Sequence, residues 1–387
     1  MIFRQEIEES LTLKFAHLAA ERRKKGLPII SLGLGEPDFK VPEEIIEATV
    51  QILQTSSAGY SSPMGISSLR EKIAFKLLSE NNIPATANNI LITPGAKQAF
   101  LLALMALLEP EDEIIVLNPS YVSFIPQICI AEPRAKITII DVRKSDFSVP
   151  IDHISNLVSS ATKILILNSP NNPAGYIFSK EELNKLFDLA IKYDFYIISD
   201  EIYEKLIFTH DPHLSVGSLE STVERVLTVN GFSKSHAMTG WRIGYLCFPQ
   251  SLYQKLLKLQ QHINTNTCTL IQLALDQAFY HDQSYLTVYN NKLASRAAHL
   301  TLTFKDLHPT RLILPKAGFF AFVNISHLNM DSNTFCGKLI EETGVATTPG
   351  VAFGSNWDDH FRISFATSDE NLDKGLKLIR KFVSKFK

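Results

Sequence analysis

The chain reads Gly231-Phe232-Ser233-Lys234-Ser235-His236-Ala237-Met238-Thr239-Gly240-Trp241-Arg242-Ile243-Gly244 shortly after its middle. Lys234 follows the apolar run 225–229, so we expect its amine to be partly desolvated and close to a second cation, Arg242. Both effects lower the pKa of a lysine and favour the neutral amine that forms a Schiff base with a carbonyl compound. The planar guanidinium of Arg242 suits a phosphate. The stretch therefore predicts a reactive amine beside an anion site.

Strand-like apolar runs alternate with helical patterns through much of the chain. The runs cover residues 90–93, 113–117, 137–141, 163–168, 195–199 and 225–229, and helical patterns include 96–108 and 180–193. This alternation predicts an α/β fold with a mostly parallel sheet covered by helices. Ligands of such sheets bind at the carboxyl ends of the strands.

Two polar segments follow strands at that edge. Asp200 comes directly after the run 195–199, and the loop 168–175, Asn-Ser-Pro-Asn-Asn-Pro-Ala-Gly, follows the preceding run. The prolines and glycine of the loop exclude both a helix and a central strand. A plain turn would explain the loop taken alone. Its place ahead of Asp200 and Lys234 favours a functional interpretation.

In every defined position, the stretch 231–244 resembles the lysine signature of class I and II aminotransferases, the fold-type I pyridoxal-phosphate enzymes. The resemblance runs from about residue 10 to residue 371 and is closest to the bacterial subgroup of aspartate aminotransferases. It implies a large domain with a mostly parallel seven-stranded sheet and a smaller α/β domain. We expect the large, cofactor-binding domain to span 38–285, and the N-terminal arm 1–37 to join 286–387 in the small domain.

The resemblance implies a site for pyridoxal 5'-phosphate. Lys234 would be the catalytic amine, and Asp200 would keep the ring nitrogen protonated. Tyr203 and Asn172 would donate to the phenolic oxygen of the ring. The family's other contacts, to the phosphate or the ring face, correspond to Gly95, Ala96, Lys97, Tyr121, Ser233, Arg242 and Tyr60. Tyr60 resembles a tyrosine that crosses a dimer interface, so a homodimer is expected.

Substrate contacts are expected from both ends of the chain. Arg362 lies in the alternating stretch 361–366 and resembles the arginine that binds the substrate α-carboxylate, with Asn172 and Gly35 beside it. Lys97 with Ser10 and Thr12 resembles the set that holds a distal carboxylate in bacterial aspartate aminotransferases. The alternative for these three residues, helix capping or solvation, stays open.

The implied reaction is ping-pong transfer of an amino group from an L-amino acid to a 2-oxo acid, with aspartate and 2-oxoglutarate as the best guesses. Aromatic, alanine-type and other donors are alternatives, because the dedicated side-chain arginine of the other aspartate aminotransferase subgroup has no obvious match. A cysteine-sulfur β-lyase is a further alternative, since that group shares the fold, the lysine and the aspartate. The expected partners are small molecules, namely amino acids and 2-oxo acids.

Bulk composition agrees with an ordinary enzyme. The 387 residues carry 38 basic and 40 acidic side chains, a formal charge of −2, so no nucleic-acid partner is indicated. The length predicts two domains. Cys129, Cys247, Cys268 and Cys336 are scattered without metal-binding spacing, and no metal site is predicted. Residues 1–9 carry three glutamates and no long apolar stretch, so no signal or membrane anchor is expected, and the cytoplasm is the predicted location.

Overall fold

The computed structural model describes residue 7 and residues 9–210, 212–305, 307 and 309–386. Most of the predicted N-terminal segment 1–9 therefore lies outside the described residues. In the described ranges the helices are α1 (Leu11–Lys24), α2 (Glu43–Thr55), α3 (Ser67–Asn81), α4 (Ala96–Leu107), α5 (Phe124–Ala131), α6 (Ile151–Leu157), α7 (Lys180–Tyr193), α8 (Tyr253–Ile263), α9 (Thr269–Gln277), α10 (Ser284–Lys305), α11 (Ser332–Thr343) and α12 (Asp369–Val383). None of them combines the length and the apolar character that a membrane crossing requires.

The strands of the same ranges are β1 (Ile30–Ser31), β2 (Ile90–Thr93), β3 (Glu113–Asn118), β4 (Lys136–Asp141), β5 (Thr162–Asn168), β6 (Tyr196–Asp200), β7 (Val226–Gly231), β8 (Gly244–Cys247), β9 (Arg311–Leu312), β10 (Phe320–Asn324), β11 (Val345–Ala346), β12 (Thr348–Pro349) and β13 (His360–Ser364). All six strand-like runs of the sequence are strands with ends shifted by at most two residues. The stretch 244–247, which those runs did not include, is the additional strand β8.

The largest layer is a seven-stranded sheet with the order β2-β8-β7-β6-β5-β3-β4. Strand β8 pairs antiparallel with both neighbours, and the other pairings in this sheet are parallel. Alternate residues face opposite layers: Ile114 and Val116 join one core with α4, while Ile115 and Leu117 join another with α7. Burial on both faces explains the continuous apolar runs. The predicted α/β fold is confirmed.

A second group of elements packs near the carboxyl end of the chain. Strands β12, β13, β10 and β9 form an antiparallel sheet, and β1 pairs parallel with β11. One hydrophobic core joins Phe15 of α1, Leu293 of α10 and Leu376 of α12 with this sheet. The N-terminal segment therefore packs beside the C-terminal third, as expected. The boundaries at 38 and 285 stay a prediction.

Local sequence explains several element ends. Helix α7 starts with a capping box in which Ser179 and Glu182 bond each other's backbone amides. Asp331 caps the start of helix α11, because its carboxylate accepts from the Thr334 amide at 2.7 Å. Residues 253–305 form three helices, α8, α9 and α10, separated by short breaks. The first break, Asn264 to Cys268, consists of residues that favour turns over helices.

Candidate active site

Four predicted site residues lie at the carboxyl ends of neighbouring strands. Tyr121 follows β3, Asn172 follows β5, Asp200 ends β6 and Lys234 follows β7. Because these strands are parallel, their ends meet at one edge of the sheet. All four side chains line one cavity of about 430 Å³. This cavity is also lined by the other predicted site residues except Gly95 and Tyr60, namely Ser10, Thr12, Gly35, Ala96, Lys97, Tyr203, Ser233, Arg242 and Arg362.

The amine of Lys234 is held inside this cavity. Its Nζ donates to the carbonyl oxygen of Gly35 at 2.7 Å and lies 6.0 Å from the ring centre of Tyr203. Burial is the main reason that the pKa of Lys234 is lowered to about 8; Glu36 acts in the opposite direction, and Arg362 lowers the pKa further. Near neutral pH, more of this amine is therefore neutral and nucleophilic than in an exposed lysine.

Asp200 is a buried carboxylate that faces the same cavity. Its Oδ1 accepts from the Ile202 amide at 3.2 Å. Burial raises the pKa of Asp200 to about 7, and the neighbouring Glu201 adds to the rise, while the Ile202 amide and Lys234 act in the opposite direction. A cation placed in the cavity against this carboxylate would restore its ionised form.

An anion cradle forms where β2 meets α4. Gly95 has φ +81°, and a Cβ at this position would lie 2.5 Å from Nη2 of Arg242. The guanidinium thus covers the glycine beside the first amides of α4, where helix geometry favours an anion. Nη1 donates to the Thr239 carbonyl at 2.9 Å and Nη2 to the Pro94 carbonyl at 3.3 Å. These bonds fix an exposed guanidinium without neutralising its charge.

Arg362 is the second guanidinium of the cavity and is 2% exposed. Its Nη1 donates to Oδ1 of Asn172 at 2.9 Å, and its Nη2 donates to the Gly33 carbonyl at 2.6 Å. The guanidinium lies over the rings of Phe320 and Phe353, 4.1 and 4.9 Å from their centres. Burial lowers the pKa of Arg362 only to about 10, so it stays charged. Within the described residues no carboxylate pairs with it.

Asn172 and Tyr203 line the same cavity as Arg362 and Lys234. The oxygen of the Asn172 side chain accepts from Arg362, which leaves its amide NH2 group available as a donor. Burial raises the pKa of Tyr203, and Asn172 is close enough to influence it. The phenol of Tyr203 therefore keeps its proton at neutral pH, and its contact with the cofactor stays a prediction.

The predicted distal set, Lys97 with Ser10 and Thr12, also lines this cavity. Nζ of Lys97 is 5.8 Å from the ring centre of Tyr121. Ser10 precedes α1, but its side chain makes no capping hydrogen bond. The hydroxyl oxygen of Thr12 is buried and has no hydrogen-bond partner among the described residues. Capping therefore does not account for the hydroxyl of Ser10, and the structure gives no such role to Thr12.

Tyr60 and Gly35 are placed differently from the other predicted site residues. Tyr60 is 92% exposed and does not line the cavity of its own chain, so its contact across a dimer stays a prediction. Gly35 lines the cavity, but its carbonyl accepts from Lys234, and it is the carbonyl of Gly33 that accepts from Arg362. A Cβ at Gly35 would lie 3.1 Å from the Phe320 ring, so the glycine allows this close packing.

A buried ionic network behind Asp200 was missed by the sequence analysis. Glu201 accepts from the hydroxyl groups of Ser199 and Ser215 at 2.8 and 2.6 Å and contacts Nε2 of His213 at 3.1 Å. Glu204 pairs with Lys76. These bonds anchor both ends of the turn that carries Tyr203. The carboxylates and His213 are close enough to hold a metal, but the two carboxylates already bond to Lys76 and the serines.

Comparison with known proteins decides the family. A family model described as aminotransferase class I and II matches residues 28–379, most of the chain. The chain belongs to this family. It is therefore an aminotransferase, as predicted.

This aminotransferase is similar to proteins with more than one kind of name. It is 36% identical over 356 residues to an aspartate aminotransferase of Pyrococcus abyssi, which covers 91% of each chain. It is 34% identical to the aromatic-amino-acid aminotransferase 2 of Thermococcus litoralis, over 93% of this chain and 92% of that one. The solved aspartate aminotransferase of Thermus thermophilus with maleate matches with a TM-score of 0.92 and 33% identity, over 97% of each chain.

Proposed function

We propose that this aminotransferase uses pyridoxal 5'-phosphate to move an amino group from L-aspartate to 2-oxoglutarate. The observation that carries the proposal is that one cavity holds the Lys234 amine together with the buried carboxylate Asp200 and two guanidinium groups, Arg242 and Arg362. An amine with a lowered pKa supplies the base, and the two guanidiniums supply separate anion sites. The relatives named aspartate aminotransferase support the same activity.

The residues of the cavity fit this cofactor. Because burial raises the pKa of Asp200, its ionised form needs a cationic partner, and a protonated pyridine nitrogen is such a partner. The Gly95 turn, the start of α4 and Arg242 would hold the phosphate. Tyr203 and Asn172 would donate to the phenolic oxygen, and Tyr121 would stack on the ring. When bound, the cofactor supplies an electron sink for the charge that develops as an amino acid loses its α-proton.

Lys234 and Arg362 act on different groups of the substrate. The guanidinium of Arg362 binds the α-carboxylate through two parallel hydrogen bonds, which fixes the α-carbon relative to Lys234. The neutral amine of Lys234 takes the α-proton onto Nζ and later returns it. The Gly35 carbonyl, 2.7 Å from Nζ, orients this amine. Since Arg362 and Gly35 come from opposite ends of the chain, closure of these segments over the substrate would exclude water.

The preference for aspartate rests on the distal set. Lys97, Ser10 and Thr12 line the same cavity as Arg362, and the Thr12 hydroxyl has no partner among the described residues. A side-chain carboxylate of aspartate or 2-oxoglutarate would accept from the ammonium and the hydroxyls. Leu13 and Leu34 also line the cavity, and these apolar residues would suit an aromatic donor. An aromatic amino acid is therefore the second candidate, and the named relative from Thermococcus litoralis agrees with it.

Single-turnover absorbance measurements test the choice of donor. Cofactor-loaded protein is mixed separately with L-aspartate, L-glutamate, L-phenylalanine, L-alanine and cystathionine. We expect the fastest amino transfer with aspartate and glutamate. The Lys97→Ala variant should lose about 10- to 100-fold of the rate with aspartate and change little with alanine, because a charge-assisted hydrogen bond is lost.

The exposed Lys258 of α8 provides the control variant Lys258→Ala, which should leave all donors unchanged. Faster transfer from phenylalanine with an unaltered aspartate rate in Lys97→Ala would contradict the aspartate assignment. Release of pyruvate from cystathionine without amino transfer would identify a β-lyase instead.

We also propose that the active form is a cytoplasmic homodimer. Tyr60 is 92% exposed and does not line the cavity of its own chain, which suits a contact with the partner's phosphate site. Mixing Tyr60→Phe with Lys234→Ala chains tests this arrangement. Hybrid dimers would regain activity in one of their two sites if Tyr60 acts across the interface, and no activity would return if it acts within its own chain.

A further inference from the structure

A loop from the N-terminal part of the chain holds the amine of Lys234. Nζ of Lys234 donates to the carbonyl oxygen of Gly35, 199 positions earlier in the chain, at 2.7 Å. Residues 32–38 belong to neither a helix nor a strand, so the hydrogen bonds of regular structure do not fix this carbonyl. The start of the loop is bound to β13, where the Leu32 carbonyl accepts from the Ser364 amide at 2.6 Å. The far end of the loop needs an anchor of its own.

Arg296 of α10 provides this anchor. Its Nη1 and Nη2 donate to the two carboxylate oxygens of Asp38 at 3.0 and 2.9 Å, and the Tyr289 hydroxyl donates to Oδ1 of Asp38 at 3.1 Å. Two parallel bonds from one guanidinium fix both the position and the orientation of a carboxylate. Arg296 is buried, so removal of either partner leaves a poorly compensated charge. The ion pair therefore fixes Asp38 and, with it, the end of the loop.

Arg296 also contacts the segment that carries Arg362. Its Nη1 donates to the Phe365 carbonyl at 3.3 Å, and its Nε donates to Oδ1 of Asp369 at 2.7 Å. Phe365 directly follows β13, the strand of Arg362. Arg296 itself does not line the active-site cavity. It therefore acts on the reaction only through the residues that it holds.

The same face of α10 holds the segment of Lys234. The Tyr285 hydroxyl donates to the carbonyl of Ser235, the residue after Lys234, at 2.9 Å. Tyr285, Tyr289 and Arg296 follow one another at intervals of four and seven residues, which places them on one side of the helix. One helix face therefore binds both segments that meet at the contact between the amine and the carbonyl oxygen.

We propose that Arg296 is a positioning residue for the catalytic amine. Through Asp38 it holds the Gly35 carbonyl against Nζ of Lys234, which keeps the amine buried and directed into the cavity. Without this anchor the end of the loop moves, and water reaches Nζ. The proposal rests on the proposed role of Lys234 as the base and is independent of which amino acid is the donor.

Chemical labelling of Lys234 tests the proposal in the cofactor-free, full-length protein. Acetic anhydride reacts with neutral amines, and peptide mass spectrometry measures how much of Lys234 is acetylated at each pH. Half-maximal labelling of the wild-type protein is expected near pH 8, because burial lowers the pKa of Lys234 to about 8. In Arg296→Met this midpoint should rise by about one pH unit, because water then stabilises the ammonium form.

The direction of this shift follows from burial, which is the largest cause of the lowered pKa of Lys234. Glu36 lies on the same loop and raises this pKa, so its movement acts against the expected rise. Asp200 also raises the pKa, and Arg362 and Arg242 lower it, but these three groups lie outside the loop. The gain of water around Nζ therefore sets the sign.

Asp38→Asn weakens the same ion pair from the other side. It leaves the contact of Arg296 with Phe365 in place, and the labelling midpoint should move in the same direction. The double variant Asp38→Asn/Arg296→Met should move the midpoint no further than Arg296→Met alone, because both changes act on one contact. If Arg296→Met does not fold, Asp38→Asn carries the test alone. Shifts that add in the double variant would show that Arg296 does not act through Asp38, and would overturn the proposal.

Arg225→Met is the matched control. Nη1 of Arg225 donates to three oxygens of residues 190–195, each at 3.2 Å. Arg225 lies before β7, whereas Lys234 lies beyond the opposite end of this strand. Its loss should lower the stability of the fold and leave the labelling midpoint at the wild-type value. An equal shift in the control, or a wild-type midpoint in both test variants, overturns the proposal.

Amino transfer by the cofactor-loaded protein provides an independent readout. The single-turnover rate of Arg296→Met should fall by about 10- to 100-fold, because a small displacement of the base slows proton transfer strongly. Arg296→Lys keeps the charge without the planar fork, and its rate should lie between those of Arg296→Met and wild type. A wild-type rate in Arg296→Met overturns the proposal. If the wild-type protein transfers no amino group, the proposed function fails, and the labelling midpoints still decide the role of Arg296.

Discussion

Arg242 and Arg362 are the same kind of side chain in opposite environments. Arg242 is exposed, and backbone carbonyls of Thr239 and Pro94 hold it over the Gly95 turn. Arg362 is buried between phenyl rings and donates to Asn172 and to the Gly33 carbonyl. The first site is a glycine turn and helix start covered by a guanidinium from 148 positions further along the chain. The second is a desolvated fork assembled from distant parts of the chain.

The different environments of Arg242 and Arg362 indicate that the two guanidinium groups bind different anions. A guanidinium beside a helix start favours an anion of high charge that stays in place, such as a phosphate. A buried guanidinium interacts more strongly with one small carboxylate, because the surrounding dielectric is low. Desolvation also makes that interaction selective, since each lost hydrogen bond is costly. We therefore expect changes at the two ends of the cavity to separate cofactor affinity from substrate use.

Arg362→Lys should have the largest effect. Lysine keeps the charge but loses the planar fork, so we expect kcat/KM for the amino donor to fall by about 10² to 10³-fold. Cofactor affinity should change less than about threefold, since Arg362 does not contact the Gly95 cradle. Steady-state kinetics and an equilibrium titration of the cofactor measure the two quantities. An equal loss of kcat/KM and of cofactor affinity would show that Arg362 and the Gly95 cradle do not serve separate ligands.

Asp200→Asn should change stability in a pH-dependent way. Because the folded protein raises the pKa of Asp200 from 3.8 to about 7, its protonated form is favoured, and the related stability is present below about pH 4 and lost as the pH rises through 7. Asparagine does not ionise. The stability advantage of cofactor-free Asp200→Asn over wild type should therefore grow by about 2–3 kcal/mol from pH 5 to pH 8.

Urea unfolding of the two cofactor-free proteins at both pH values measures this difference. With the cofactor bound, the order should reverse, because the variant lacks the partner of the ring nitrogen. A stability difference that does not vary with pH would show that the carboxylate is already ionised in the empty cavity.

Arg242→Gln should act mainly on the cofactor. Loss of a charged donor to the phosphate should raise the dissociation constant of the cofactor by about 10- to 100-fold. At saturating cofactor, KM for the amino donor should stay near the wild-type value. The exposed Arg143 offers the control Arg143→Gln, for which neither quantity should change. A raised KM with normal cofactor affinity would assign Arg242 to the substrate instead.

Gly95→Ala should have the smallest effect of the series. The added methyl group would lie 2.5 Å from Nη2 of Arg242, and the backbone has φ +81°, which alanine rarely adopts. The guanidinium can shift, so we expect cofactor affinity to fall only about 3- to 10-fold, reflecting the cost of this backbone conformation. Gly337→Ala, in open space on α11, is the control. Unchanged cofactor affinity in Gly95→Ala would show that the position of Arg242 does not matter for the phosphate.

The sequence could predict the residues that a local pattern places at strand ends, but not the contacts between distant parts of the chain. Tyr121, Asn172, Asp200 and Lys234 each lie at the end of an apolar strand, and parallel pairing brings such ends together. The local pattern was therefore sufficient to place them at one edge. The Gly95 turn is also local, because a glycine followed by a helical pattern indicates a helix start.

The substrate end depends on contacts that no local pattern encodes. Arg362 donates to Asn172, 190 positions earlier in the chain, and to the Gly33 carbonyl, which the sequence analysis did not single out. Phe320, whose ring lies under Arg362, was missed because an apolar strand residue looks like any other core residue. The contact of Glu201 with His213 was also missed, since these residues lie in a loop without a periodic pattern. Such pairs follow from the packing of the whole chain.

The central claim is that Lys234 is the amine that reacts with the cofactor. Borohydride reduction of the cofactor-loaded protein would fix the cofactor to that amine, and peptide mass spectrometry would then locate the modified lysine. We predict modification of Lys234 alone, and none in the Lys234→Ala variant. Modification of Lys97 or another lysine, with Lys234 unchanged, would contradict the account.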